Sequence, residues 1–164
     1  MATSLRPPKL GSVEQFPLSK ISASPDLAEV TVGLKFVGSE SADQFRNQLQ
    51  ANQLAEAKRM ADLRKGYTID TAPELWKLAT PEATKAQLDL IREVFAEIVA
   101  DVRAPGEVIE GEDAQAVVNG LGLAEKGRLF GVCLEAQGAN RRQIFRPEDP
   151  RVVSAEASPD PAQS

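Results

Sequence analysis

A short stretch in the first quarter of the chain alternates between apolar and polar positions. Val30, Val32, Leu34 and Phe36 are apolar at strict period two, Leu27 precedes them, and Glu29, Thr31 and Lys35 face the other way. Because successive side chains of a strand point to opposite faces, this alternation predicts a half-buried β-strand. One strand is not stable alone, so we expect its partner in residues 10–22, 67–69 or 108–109, or in another chain.

An amphipathic pattern follows and predicts the first helix. Ser41 and Gln44 have the spacing of a capping box, and Gly66 marks the stop. The apolar positions between them form a thin stripe: Phe45, Leu49, Leu54, Ala57, Met60 and Leu63. The opposite face is rich in Gln and Asn, so we expect this helix to pack lightly on its own domain and to bind another helix. A capping box at Thr71 and Glu74 then predicts a short helix that carries Leu75, Trp76 and Leu78.

The most regular helical pattern begins after Thr80, which is predicted to be the N-cap, with Pro81 in the first turn. Its apolar face consists of Leu88, Ile91, Phe95, Ile98, Val99 and Val102. Pro105 and Gly106 are predicted to end this helix, and residues 107–113 to form an acidic loop. Two further helices are predicted over residues 114–119, with Val117 and Val118, and over 124–137, with Leu129, Phe130, Val132, Cys133 and Ala136.

These elements predict a mostly α fold of the α+β class, with a small N-terminal β element followed by a bundle of four to five amphipathic helices. Pro and Ser are concentrated near both ends of the chain. Such segments bury too little apolar surface to offset the entropy of ordering. We therefore predict a flexible leader over residues 1–25, a single helical domain with its N-terminal strand over 26–143, and a disordered tail over 144–164.

The composition restricts the chemistry of the chain, which contains no histidine and a single cysteine, Cys133. Histidine-dependent nucleophiles and Cys/His zinc sites are therefore excluded. A lone cysteine forms no internal disulfide, which fits the reducing cytoplasm. The net charge of −5 disfavours nucleic acid and anionic membranes as partners. No apolar run reaches the roughly 20 residues that span a bilayer.

The acidic segment is the first candidate for chemistry. Glu107, Glu110, Glu112 and Asp113 could serve as acid and base or bind a hard cation, but their spacing is not that of an EF-hand. A solvated loop is the simpler interpretation. Cys133 lies in an apolar stripe, which indicates a small buried hydrophobe. We therefore predict no catalytic, cofactor-binding or metal-binding residue, and a protein that is not an enzyme.

Residues 29–45 read EVTVGLKFVGSESADQF, in which a strand leads into a Ser-capped helix with an early aromatic, Phe45. This order resembles the opening of the tail assembly chaperones of long-tailed bacteriophages. The likeness covers about residues 27–142. It continues through the amphipathic helix at 87–102, the Gly/Pro-bearing acidic loop at 104–113, and a short and a longer helix that lead to Arg141 and Arg142.

The resemblance implies a non-enzymatic role in the cytoplasm of a bacterial host. Such chaperones coat the long helical tape measure protein, keep its apolar stripe from aggregating, and yield to polymerising tail tube subunits. These proteins would be the partners, and a homo-oligomer is a further option. We expect Trp76 to be either a core residue or an exposed anchor. The candidates that would divide between core and partner surface are Phe45, Leu49, Trp76, Val117, Val118, Leu129 and Phe130.

Three other classes stay open on the residues alone. A structural virion or scaffold component, such as a head–tail connector or capsid-associated protein, would self-associate without a helical client. A small helical regulatory protein that binds nucleic acid would lose binding steeply with salt. An enzyme that uses only carboxylates, Lys, Ser or Tyr67 would lose turnover when the carboxylates of 107–113 are changed.

Overall fold

The computed structural model describes residues 8–138 and 141–145 of the chain. Its strands are β1 (Val13–Pro17), β2 (Thr31–Lys35), β3 (Val99–Ala104) and β4 (Glu107–Glu110). Its α-helices are α1 (Ser39–Leu63), α2 (Pro81–Ile98), α3 (Gly111–Asn119), α4 (Leu123–Glu135) and α5 (Arg141–Phe145). Short 3-10 helices lie at Leu18–Lys20, Pro25–Leu27 and Pro73–Trp76. The predicted fold class, mostly α with a small sheet, is confirmed. The disorder predicted for residues 1–7 and 146–164 falls outside the described residues.

The sheet has the order β1-β2-β3-β4, and each neighbouring pair is antiparallel. β2 is the strand that the alternating pattern predicts, and β1 comes from residues 10–22, as expected. The structure differs from the predicted leader here, because residues 13–17 form β1 within that segment. Residues 108–109 do lie in a strand, but β4 pairs with β3 rather than with β2. Residues 67–69 form no strand.

One face of the sheet carries the apolar core. The register places Phe16, Val32, Val102 and Ile109 side by side across the four strands, so their side chains share that face. Helices α2 and α3 pack on the sheet, and α4 packs on α2 in the same core. The core side chains that α2 and α4 contribute are Leu90, Ile91, Val94, Phe95, Ile98, Leu129, Phe130, Cys133 and Leu134. Each fully buried aliphatic or aromatic side chain contributes about 1.5–3 kcal/mol relative to exposure.

The end of α2 is the main correction to the predicted elements. The helix stops at Ile98, and the chain continues as β3, in which Val99 pairs with Leu34 and Val102 with Val32. A spacing of three suits a helical face and not regular strand alternation, but the register shifts between Gly33 and Leu34, so both Val99 and Val102 pair with buried residues of β2. As β-branched residues they suit a strand. The predicted acidic loop is in fact β4 followed by the first turn of α3.

The prolyl-glycyl pair at 105–106 therefore turns a hairpin instead of ending a helix. Ala104 pairs with Glu107, so two residues connect β3 and β4. Gly106 has a φ of 79°, a value that glycine adopts without strain. Pro followed by such a glycine suits a type II turn.

The helix starts were predicted with mixed success. Thr80 is the N-cap of α2, because its Oγ1 accepts a hydrogen bond of 3.1 Å from the amide of Ala83. The capping box at Ser41 does not form, since α1 begins two residues earlier behind Gly38. The segment after Thr71 forms a 3-10 helix without a side-chain cap. Helices α3 and α4 lie where they were predicted, whereas α5 was not predicted.

A buried glutamine connects β2, α1 and α4. Gln137 is 2% exposed. Its Oε1 accepts hydrogen bonds of 2.7 Å from the amide of Val37 and 3.2 Å from that of Gly38. Its Nε2 donates to the carbonyl oxygens of Lys35 at 2.9 Å and Cys133 at 3.3 Å. One side chain thus satisfies the backbone where β2 ends and α1 begins.

We expect Gly33→Ala to destabilise the fold by about 1–3 kcal/mol, the range for overpacking. A Cβ at Gly33 would lie 2.8 Å from Cγ of Asp101 and 2.8 Å from Cγ1 of Val13. The matched control is Gly127→Ala in α4, where a Cβ meets nothing within 4 Å. It should stabilise by about 0.5–1 kcal/mol, because alanine is the better helix former. Urea unfolding of both variants measures the difference, and equal stability would contradict the close approach.

We also expect Gln137→Ala to destabilise by about 1–3 kcal/mol for each buried backbone group that it leaves unpaired. The amides of Val37 and Gly38 would be the first to lose their acceptor. Gln143→Ala, at an exposed position of α5, provides the matched control with little expected effect. Chemical denaturation checks this prediction, and a wild-type midpoint for Gln137→Ala would refute it.

Candidate functional site

The first helix is long and poorly covered. Only Ala42 and Met60 of its 25 residues are buried. Phe45 and Leu49 pack partly against the core, whereas Leu54 is 66% exposed. The prediction that this helix packs lightly on its own domain is therefore confirmed. About 37 Å of helix, at 1.5 Å per residue, thus offers surface for a partner.

An open groove of about 410 Å³ runs between α1 and the last turns of α2. Its lining residues are Ser41, Gln44, Phe45, Glu93, Ala96 and Glu97. Phe45 is half-buried, while Glu93, Ala96 and Glu97 are exposed. The groove thus combines an aromatic side chain with a carboxylate rim. It includes Phe45, a residue singled out in the sequence.

A second open groove of about 540 Å³ lies along the first turns of α2. Its charged side chains already contact one another, because Asp89 lies 2.7 Å from Lys85 and 3.5 Å from Arg92. In the first groove the carboxylates of Glu93 and Glu97 make no hydrogen bond or ion pair with the described part of the chain. The first groove is therefore the better candidate for a partner.

A polar junction defined by Glu56 and Thr80 fixes the antiparallel pairing of α1 and α2. The carboxylate of Glu56 accepts hydrogen bonds from the hydroxyl of Thr80 at 2.6 Å and from its amide at 2.9 Å. Arg59 Nε donates to the same carboxylate at 3.2 Å. The hydroxyl and amide of Thr80, and to a smaller extent Arg59, lower the pKa of Glu56 against the opposing effect of burial.

The structure separates the seven predicted partner residues. Val118 and Leu129 are fully buried, and Phe130 is 8% exposed, so these three belong to the core and not to the accessible surface. They face the sheet or α2 because α3 and α4 close the same core. Val117, 40% exposed, points outward on α3. Phe45 and Leu49 lie at the boundary between core and solvent.

Trp76 fits neither of its two predicted roles fully. It is half-buried, and the guanidinium of Arg64 lies 5.0 Å from the centroid of its ring. Arg64 Nε also donates to the carbonyl of Leu75 at 3.2 Å. Arg64 covers one face of the indole, so Trp76 packs within the connection between α1 and α2. That face is therefore not available to a partner.

Sequence reasoning missed an exposed apolar group around this connection. Its members are Leu63, Tyr67, Ile69 and Leu78, each at least 48% exposed. The sequence assigned its members to separate elements, Leu63 to the first helix, Leu78 to the short helix and residues 67–69 to a possible strand. It therefore gave no sign that all four are exposed.

Asp101 is a second feature that the sequence did not reveal. Although it is only 7% exposed, it lies on the sheet face opposite the core. Gln15 Nε2 donates to it at 2.9 Å, and Arg103 Nη2 contacts it at 3.5 Å. Gln15 in turn accepts a hydrogen bond from Thr31. The carboxylate is thus held by its neighbours, and this cluster stabilises the outer face of the sheet.

The other candidates for chemistry are the Cys133 thiol and groups of acidic side chains that could bind a metal ion. Burial raises the pKa of the Cys133 thiol far above its ordinary value, so the thiol stays protonated, as its apolar surroundings predict. Residues 8–138 and 141–145 contain no group of three or more Cys, Asp or Glu side chains that could hold a metal ion. Among the same residues, no helix combines the length and the apolar character needed to cross a membrane.

The junction of Glu56 and Thr80 should make stability depend on pH. Because folding lowers the pKa of Glu56, its ionised form stabilises the fold above its ordinary value of 4.5, and this contribution is lost as pH falls through the lower folded value. We therefore expect Glu56→Gln to destabilise at neutral pH and to match wild type in acid. Urea unfolding across pH tests this. Glu29→Gln, at an exposed residue, is the control, and a pH-independent difference for Glu56→Gln would contradict the assignment.

Comparison with known proteins gives no further guide to this site. Scans against protein-family models, curated proteins and solved structures found no match to the chain. The groove beside Phe45, the exposed length of α1 and the charges on α2 are therefore the observations from which a function can be argued.

Proposed function

We propose that this protein is a non-enzymatic assembly chaperone that binds a helical segment of a partner in the groove between α1 and α2. The observation that carries the proposal is the poor coverage of α1, of which only Ala42 and Met60 are buried. Most helical stability in proteins comes from burial of an apolar face. A helix of this length with so little burial therefore has surface left for another helix.

The groove supports this proposal by its position and its lining. A helix that docks in a groove inserts side chains at positions i, i+3, i+4 and i+7. Phe45 forms the apolar floor, and Ala96 leaves space opposite it. Leu49 lies one turn further along the same face of α1 and, like Phe45, packs partly against the core.

The more specific function rests on the sequence resemblance to tail assembly chaperones of long-tailed bacteriophages. On this proposal the partner is the tape measure protein, whose long helix carries an apolar stripe. The chaperone would cover that stripe in the host cytoplasm and yield to tail tube subunits. An open groove suits such a role, because a bound helix can leave without unfolding of the chaperone.

The test is a pull-down of the tagged protein from its native producing cells, with partners identified by mass spectrometry. We expect one very long, helix-rich partner in roughly stoichiometric yield. Ala96→Trp should abolish its recovery, because the indole would fill the groove from an exposed position and leave the core unchanged. Leu123→Trp introduces the same residue at an exposed position at the start of α4, away from α1 and the groove, and should retain the partner.

Two results would contradict the proposal. One is recovery of the protein only with itself or with capsid and connector proteins, which would favour the structural-component class. The other is full recovery of the long partner with Ala96→Trp, provided that circular dichroism and the unfolding midpoint show both variants to be folded. In that case the partner binds elsewhere on the surface.

A further inference from the structure

The rim of the groove carries two carboxylates that nothing in the described chain neutralises. Glu93 and Glu97 are four residues apart in α2, so they lie on one face, one turn from each other. Both are exposed, and neither carboxylate has a hydrogen bond or an ion pair with residues 8–138 or 141–145. Like charges at this spacing repel each other. This arrangement destabilises the free protein slightly.

The position of Glu93 and Glu97 in the helix is also unfavourable for two negative charges. Helix α2 ends at Ile98, so Glu97 lies in its last turn, where the helix dipole is negative and favours cations. No basic residue stands in that turn. Glu97 therefore lies beside a second carboxylate and beside a helix end that carries partial negative charge. A cation from outside would be attracted by both.

The surrounding elements add further negative charge. Gln115 of α3 donates hydrogen bonds to the carbonyl oxygens of Ala96 at 3.2 Å and Val99 at 3.3 Å. This contact places the first turn of α3, with Glu112 and Asp113, beside the end of α2. Glu40 in the first turn of α1 is also acidic and exposed.

The basic side chains close to these elements in the chain already have acidic partners. Arg92 contacts Asp89, Arg46 contacts Asp43, and Arg103 contacts Asp101. Arg46 also donates to the carbonyl of Leu134. Within the described residues no basic side chain contacts Glu93 or Glu97, so both carboxylates are open to an external cation.

We propose that the groove selects a partner helix whose apolar stripe is flanked by Lys or Arg. This inference rests on the proposed helix-binding function and names the chemistry of the partner. The apolar stripe would contact Phe45, and basic side chains one turn apart would pair with Glu93 and Glu97. Exposed ion pairs are weak, about two- to fivefold in affinity each, so charge selects among helices rather than supplying most of the affinity.

Two synthetic amphipathic helical peptides with one apolar stripe test this proposal, one flanked by Lys and the other by Glu. Fluorescence anisotropy with the full-length protein measures both affinities at low and high salt. We expect the Lys peptide to bind about 4- to 25-fold more tightly at low salt, the product of two such pairs. The preference should shrink at high salt, because exposed charges are screened.

Variants identify the carboxylates responsible. Glu93→Gln combined with Glu97→Gln should abolish the preference, and Glu93→Lys combined with Glu97→Lys should reverse it. The matched control is Glu74→Gln with Glu82→Gln, which removes the same charge at exposed positions near the other end of α2. This control should keep the preference of the wild type.

The outcomes separate the two proposals. Equal affinity for both peptides, abolished by Ala96→Trp, would overturn charge selection and leave the helix-binding function standing. Binding of neither peptide would overturn both. A preference that survives Glu93→Gln with Glu97→Gln would place the selecting charges elsewhere and overturn this assignment.

Discussion

The position of α1, on which the groove depends, is set by the side-chain amide of Gln137. This amide accepts hydrogen bonds from the two backbone amides that lead into α1 and donates to the carbonyl oxygens of Lys35 and Cys133. A buried backbone amide without an acceptor is costly, so the direction in which α1 leaves the sheet is tied to the end of α4. The guanidinium of Arg46 reinforces this link through the carbonyl of Leu134.

Polar bonds at discrete points, more than continuous apolar packing, therefore hold α1 in place. Gln137 and Arg46 hold its beginning, and Glu56 holds its middle to Thr80 at the start of α2. Between these points Phe45 and Leu49 contribute only partial burial. An element with few buried apolar contacts is among the first to open locally. Of the two helices that form the walls of the groove, α1 is thus more easily displaced than α2.

The sequence predicted elements better than it predicted their assembly. Alternation in β2, the Thr80 cap and the stripe of α2 were readable because each depends on neighbours in the chain. The continuation of α2 into β3 was not readable, since Val99 and Val102 keep the helical spacing of three and only the irregular register with β2 accommodates both in the strand. Phe45 lines the groove, and its role toward a partner stays a prediction. Val118 and Leu129 are buried in the core, because the choice between core and surface depends on which helices meet.

The absence of a loop between α2 and β3 has a mechanical consequence. Ile98 ends the helix and Val99 begins the strand, so one wall of the groove is covalently continuous with an inner strand of the sheet. Rotation of α2 would have to shear the hydrogen bonds between β3 and both of its neighbours. Of the two helices that form the groove, α2 is therefore rigid and α1 is flexible. The width of the groove would adjust to partner helices of different diameter by movement of α1 alone.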